Sequence, residues 1–292
     1  QKMELNLKLE SNALLIINKP KDYTSRDIVN IISKKFQTKK VGHNGTLDPL
    51  ATGVLVICLN RYTKLNEILS SKYKEYIACV KLGIATDTLD ITGNVLEKRN
   101  IKLNKKDLIN ILNKYITTYS QEVPIYSAVK VNGKKLYEYA RKNEQVNLPK
   151  KEVQIKQIDL LNFSNDEFTF KCLVSKGCYI RSLIRDILND LNVIGTMSNL
   201  QRTKQGVFSI KQANNLEEIL KDNYKLYKIK DILDIPKVTI KGDLLKKVYN
   251  GVSIKGNYPE TVLFVDENDE EIAIYKKEKD LFKMQILLKT PN

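Results

Sequence analysis

Gly42-His43-Asn44-Gly45-Thr46-Leu47-Asp48-Pro49-Leu50-Ala51-Thr52-Gly53 runs directly into Val54-Leu55-Val56-Ile57-Cys58-Leu59. Three glycines in twelve residues let the backbone turn sharply and let a ligand come close. Pro49 fixes its own φ and pushes Asp48 toward an extended conformation. The stretch is therefore a shaped loop, and the apolar run after it reads as a buried strand that anchors it. The loop carries the only histidine of the chain and one carboxylate on a stiff backbone. In the plainest reading Asp48 forms an Asx-turn and His43 packs. Three richer motifs are tested and set aside. Gly45 is not followed by the Lys-Ser/Thr of a P-loop. Asn44-Gly45-Thr46 matters as a glycosylation signal only in a secreted chain. One histidine with one carboxylate is too few for a zinc or iron site. A lone carboxylate that can act as nucleophile or base survives.

The chain has 292 residues, 42% hydrophobic and 28% charged, enough for about two domains. Its net charge is +15. From Pro236 onward there are ten Lys and nine acids, so fourteen of those excess charges fall on the first 235 residues. That asymmetry points to an anionic partner of the larger part; a genome-wide bias toward lysine is the competing explanation. Cys58, Cys79 and Cys172 lie in apolar runs and read as buried thiols, whereas Cys178 adjoins a polar segment and is partly accessible. Gln1-Lys2-Met3 opens no signal-peptide core, and no apolar run reaches the ~18 residues of a membrane span. A cytoplasmic protein is expected.

Residues 13–18 read as a strand closed by Lys19-Pro20. Thr24 or Ser25 caps a helix with Ile28, Ile31, Ile32 and Phe36 on its apolar face. Residues 61–70 look helical, and Tyr73–Gly83 reads as a strand. Asn104 caps a helix over 105–114. Between Val123 and Arg141, basic residues alternate with Tyr126, Tyr137 and Tyr139, a mixture suited to phosphates and bases; an ordinary helix with a solvated basic face is the alternative. Residues 152–163 and 167–175 form two strands. Ile180, Leu183, Ile184, Ile187, Leu188 and Leu191 line one helical face. After residue 235, a short helix over 244–249, a hairpin of 261–265 with 271–275, and a last strand over 281–288 are expected.

The Gly42–Leu55 stretch resembles the catalytic loop of the TruB family, the bacterial tRNA pseudouridine synthases. Four further blocks are similar to that family in the same order. They are Lys74-Glu75-Tyr76 with the strand to Leu82-Gly83 and Thr86-Asp87-Thr88-Leu89-Asp90; Tyr126-Ser127-Ala128-Val129-Lys130 with Leu136-Tyr137-Glu138-Tyr139-Ala140-Arg141; Ser175-Lys176-Gly177-Cys178-Tyr179-Ile180-Arg181; and Asn199–Phe208. Gln201 stands where the family usually has arginine.

The resemblance, over residues 12–235, implies an α+β fold: the pseudouridine synthase fold, a mixed, mostly antiparallel sheet with a central cleft. It implies a catalytic domain over 1–235, with an RNA-contacting insertion at about 124–151, and a small PUA-like β domain over 236–292. The implied reaction converts uridine 55 in the T loop of tRNA to pseudouridine without a cofactor or metal. Asp48 would be the essential group, with Arg181 paired to it and Tyr76 assisting at C5. His43, Tyr76, Tyr179 and Leu200 would line the site of the extruded base. Lys19 would support the loop from below, and Lys130, Lys134, Lys135, Arg141 and Arg202 would contact RNA. Lys-rich 142–151 would order only when RNA arrives. The implied partner is the tRNA T stem-loop, bound by a monomer with no obligatory protein partner and no membrane. A non-catalytic tRNA-folding chaperone on the same fold, and the guide-RNA-dependent branch of the family, are the alternatives.

Overall fold

The computed structural model describes residues 9–291; the N-terminal residues read above for a signal peptide lie outside them. The architecture is α+β. Its main body is an 11-stranded sheet whose principal path runs Asn214–Asn215, Ala13–Lys19, Thr52–Leu59, Gly195–Gln205, Tyr73–Leu82, Glu167–Ser175, Lys150–Phe163 and Thr118–Glu122. Most neighbours are antiparallel. Gly195–Gln205 meets Thr52–Leu59 in a short parallel pairing, with Arg202 opposite Gly53.

Strand composition follows from which faces are covered. Leu15 and Ile17 of the first strand, and Leu55, Ile57 and Leu59 of its neighbour, enter the principal core with the helices Ser25–Lys35 and Ile180–Asp190. Leu14, Ile16, Val54, Val56 and Cys58 point the other way, onto Leu263, Val265, Ile274 and Ile286 of the C-terminal sheet. A strand buried on both faces must be apolar throughout, which is why these two segments show no alternation. Tyr73–Leu82 does alternate: Tyr76, Ala78, Val80 and Leu82 are buried, while the residues between them are half-buried. Cys79, expected to be buried, falls on the outer register and is only half-buried.

Helix starts match their local chemistry. The Thr24 side chain accepts from Asp27 N at 3.0 Å while Asp27 Oδ2 accepts from Thr24 N at 2.8 Å, a reciprocal capping box. Asn104 Oδ1 caps Lys106 N at 2.7 Å. The expected helix at 61–70 is instead a 3-10 turn over Asn60–Lys64 followed by further turns. Asn60 sits at φ +59, and Tyr62 is pulled into the core. The stretch 126–141 is a small hairpin, Lys130–Val131 with Lys134–Lys135, and then a short helix, Leu136–Arg141.

A separate four-stranded sheet closes the chain, in the order Lys237–Thr239, Thr261–Val265, Glu271–Glu278, Leu281–Leu287. Its first strand is parallel to the second and was not anticipated. The two sheets share a core and a polar tie. The buried Tyr62 hydroxyl bonds the Glu271 carboxylate and accepts from Ile229 N at 3.0 Å. Among the described residues no helix is long and apolar enough to cross a membrane.

Candidate functional site

The loop from Gly45 to Ala51 has irregular backbone pressed against the core, so its carbonyls need donors from side chains. Arg202 supplies two of them and also binds the strand that follows. Its Nη2 donates to Gly45 O at 2.7 Å, Nη1 to Thr46 O at 3.3 Å and Nε to Val54 O at 2.8 Å. Leu47 N donates to Ser25 Oγ at 3.0 Å. Lys19 Nζ donates to Pro20 O, Tyr23 O and Pro49 O. Leu47, Leu50 and Ala51 are buried beneath. Asp48 is thereby presented outward, its side chain 44% exposed. Gly53 is needed where the loop re-enters the sheet: at φ +101, a Cβ would run into the Arg202 backbone.

Arg181 meets Asp48 from the N-terminal turn of the helix Ile180–Asp190. Its Nη2 lies 3.0 Å from Asp48 Oδ2. The same guanidinium donates to Thr88 O and Tyr126 O, both at 3.1 Å, so it is held on three sides and only 6% exposed. The Thr88 turn is itself fixed by Asp90, whose carboxylate accepts from Thr92 N and from the Thr88 and Thr92 hydroxyls. A planar fork with several donors can serve two carbonyls and a carboxylate together. Gln121, which sequence reading passed over, accepts from Tyr179 N at 2.8 Å through Oε1. Its Nε2 donates to the Tyr119 hydroxyl at 2.8 Å. It thus sets the backbone that leads into Arg181; in the sequence it is one polar residue among several, followed by Glu122 and the apolar Val123-Pro124 pair.

Asp48 and Arg181 border a cavity of about 290 Å³, together with Thr46, Lys74, Tyr76, Tyr179 and Leu200. That is near the lower end for small-ligand pockets. Burial pushes the Tyr76 phenol above its ordinary value, and the neighbouring Arg202 guanidinium pulls against that shift. Burial likewise raises Tyr179, which Arg181 opposes. Burial lowers Lys19 to about 8 despite the nearby Asp48 charge. The Cys178 thiol, also on the cavity wall, is pushed up to about 12 by burial.

The structure thus brings Asp48, Tyr76, Tyr179, Arg181 and Leu200 around one cavity, with Lys19 directly beneath the loop. Two expected placements are corrected. Arg202 is fully buried, so it cannot lie on an RNA-facing surface; it is the internal clamp of the loop. His43 does not line this cavity but an adjoining hollow. Lys130 and Arg141 are exposed, and Lys134 and Lys135 are half-buried. Lys134 stands 4.4 Å from the Tyr139 ring centroid, and Arg141 5.2 Å from that of Tyr137, so these aromatic faces are already covered by cations. Among the described residues no group of three or more His, Cys, Asp or Glu is placed to hold a metal ion.

Comparison with known proteins gives a consistent set of likenesses. The family model described as TruB family pseudouridylate synthase (N terminal domain) matches residues 33–180. The chain is 42% identical over 247 residues to the tRNA pseudouridine synthase B of Clostridium kluyveri, covering 84% of this chain and 86% of that one. It is 38% identical over 290 residues to the tRNA pseudouridine synthase B of Caldicellulosiruptor saccharolyticus, covering 96% and 99%. Among solved structures, a Cbf5-Nop10-Gar1 complex matches with a TM-score of 0.70 at 22% identity, over 95% of this chain and 85% of that one, a likeness of fold.

Proposed function

The chain belongs to the TruB family of pseudouridylate synthases, and from that premise we propose that it isomerises uridine 55 in the T loop of tRNA to pseudouridine. In this reaction the N1–C1′ bond breaks, the uracil turns, C5 joins C1′, and the C5 proton is lost while N1 gains one. The single observation that carries the site assignment is the Asp48–Arg181 pair at 3.0 Å on the wall of the cavity.

The base must leave its stack to enter, at a cost of about a few kcal/mol that is smallest for a loop base. Tyr76, Tyr179 and Leu200 form its walls. Asp48 is the nucleophile, and Arg181 fixes its carboxylate toward the sugar and base. Tyr76 is placed to take the C5 proton. Because burial disfavours the phenolate, that role relies on the Arg202 charge beside it. Lys130, Lys134, Lys135 and Arg141 face the tRNA arm from the insertion at 124–151. Catalysis belongs to residues 1–235. The sheet that begins at Lys237 forms the small PUA-like domain. The enzyme acts as a monomer in the cytoplasm, without a protein partner.

Asp48→Asn keeps the shape of the carboxylate and removes its nucleophilicity. The expected result is retained tRNA binding with loss of tritium release from tRNA labelled at uridine C5. Turnover within about tenfold of the parent, ~1.4 kcal/mol of barrier, would end the assignment. Wild-type protein that binds tRNA and never releases tritium would favour a folding chaperone.

A further inference from the structure

The strand Thr118–Glu122 ends the path of the main sheet and is tied to the helix Ile180–Asp190. Tyr119 and Gln121, two residues apart, share one face of that strand. On the helix side, Asp186 follows Tyr179 by seven residues, two turns further along the same side. These spacings bring four groups into one hydrogen-bonded chain. Gln121 Oε1 accepts from Tyr179 N at 2.8 Å, Gln121 Nε2 donates to the Tyr119 hydroxyl at 2.8 Å, and that hydroxyl donates to Asp186 Oδ2 at 3.0 Å.

Each link has a single direction. A backbone N–H only donates, so the amide turns its oxygen to Tyr179 and its nitrogen to Tyr119. The Tyr119 oxygen therefore accepts, and its own proton must pass to an acceptor. Asp186 accepts at both oxygens, since Oδ1 receives Arg185 Nε at 2.9 Å. Burial raises the Asp186 carboxyl above its ordinary value, and the Arg185 guanidinium opposes that shift. Docking of strand on helix does not depend on this chain. Ser182 Oγ and Arg185 Nη2 provide it, donating to Glu122 O at 2.8 and 3.2 Å.

We propose that Asp186 and Tyr119 orient the Gln121 amide, and that Gln121 is a positioning residue of the reaction, acting through Tyr179. The inference rests on the reading that Tyr179 walls the base and Arg181 aims Asp48. Gln121 is 1% exposed and stands behind the cavity wall, not on it. It fixes the turn that carries Cys178 and Tyr179, with Arg181 two residues on. A misplacement of about 1 Å at such a turn can cost ~10²-fold in rate.

The test uses the full-length protein, single-turnover tritium release from tRNA labelled at uridine C5, and Kd for the same tRNA. Tyr119→Phe keeps the ring and its edge contact with Tyr115, 5.4 Å between centroids, so the variant folds. It should slow release about tenfold while Kd stays within about twofold. In Asp186→Asn, Arg185 can only donate, so the new amide gives it the oxygen and turns its NH2 to Tyr119. The chain then runs backward and sets the Gln121 nitrogen against Tyr179 N–H, donor against donor. Asp186→Asn should therefore be slower than Tyr119→Phe, and adding Tyr119→Phe to it should restore the rate of Tyr119→Phe alone. A parental rate in Tyr119→Phe, or a loss seen in Kd and not in the rate, overturns the proposal. So do two substitutions whose effects simply multiply, which would route the Asp186 effect through Arg185. Wild-type protein that releases tritium while these variants behave so sinks the positioning chain alone. Wild-type protein that releases none sinks the functional reading beneath it.

Discussion

Arg202→Met removes the clamp of the catalytic loop while keeping an unbranched side chain of similar length. The wild-type guanidinium makes three hydrogen bonds to backbone carbonyls, two of them short, in a position with no solvent exposure. Hydrogen bonds from a charged donor contribute about 1.5–3 kcal/mol each, and a buried carbonyl left without a donor costs a further ~1–3 kcal/mol. Against this, the substitution removes the cost of keeping a cation out of water. Taking the 3.3 Å bond as weak, the net loss is about 3–5 kcal/mol, a large part of the ~5–15 kcal/mol that holds a folded domain. The chain has no Trp, so urea unfolding is followed by far-UV circular dichroism. A loss below about 1 kcal/mol would refute the claim that Arg202 supports the loop. Arg202→Lys sharpens the test: a point charge cannot span three carbonyls as a planar fork does, so it should recover only part of the loss. Full recovery would show that charge, not geometry, is what the loop needs. Tritium release measured where each variant is still folded should fall in both, since the loop that carries Asp48 loses its clamp.

Gly53→Ala should destabilise by about 2 kcal/mol or more, because the new Cβ faces Arg202 backbone that cannot step aside. Gly133→Ala is its control, with φ +78 and open space around it, and should cost only about 1–2 kcal/mol of left-handed strain. Equal midpoints for the two in denaturant titration would show that the Gly53 contact relaxes. Binding of tRNA should take up protons near pH 8.5 and few near pH 7. Lys74 sits at about 8 in the free protein; it is therefore mostly neutral at the higher pH, and a nearby phosphate favours its charged form. Calorimetry in buffers of different ionisation enthalpy reads this uptake, and equal proton counts at the two pH values would exclude Lys74 from the interface.

What the sequence disclosed and withheld follows from the range of each interaction. The segments Ala13–Lys19 and Thr52–Leu59 were readable because burial on both faces writes itself as an unbroken apolar run. The caps at Thr24 and Asn104 were readable because donor and acceptor lie two or three residues apart. Asp48 and Arg181 were not joined by any such local signal; only the resemblance of whole blocks placed them together. The misplacement of Arg202 is the more instructive case. Its neighbours Gln201, Thr203, Lys204 and Gln205 make the segment look solvated, yet in a strand Arg202 shares a face with Leu200, and both are buried.

The loop itself contained the missing clue. A glycine-rich stretch that leaves regular structure beside a core strand exposes carbonyls that neither helix nor sheet can satisfy, and burying them demands donors from elsewhere. Gly45, Thr46, Leu47 and Pro49 present four such carbonyls, and Arg202, Ser25 and Lys19 answer them. Counting those acceptors from the sequence would have called for long, multidentate donors inside the protein before any were sent to the surface. By that logic the arginines of this chain divide by acceptor and not by charge: Arg202 belongs to backbone, Arg181 to backbone and one carboxylate together, and Arg141 to solvent and the aromatic face of Tyr137.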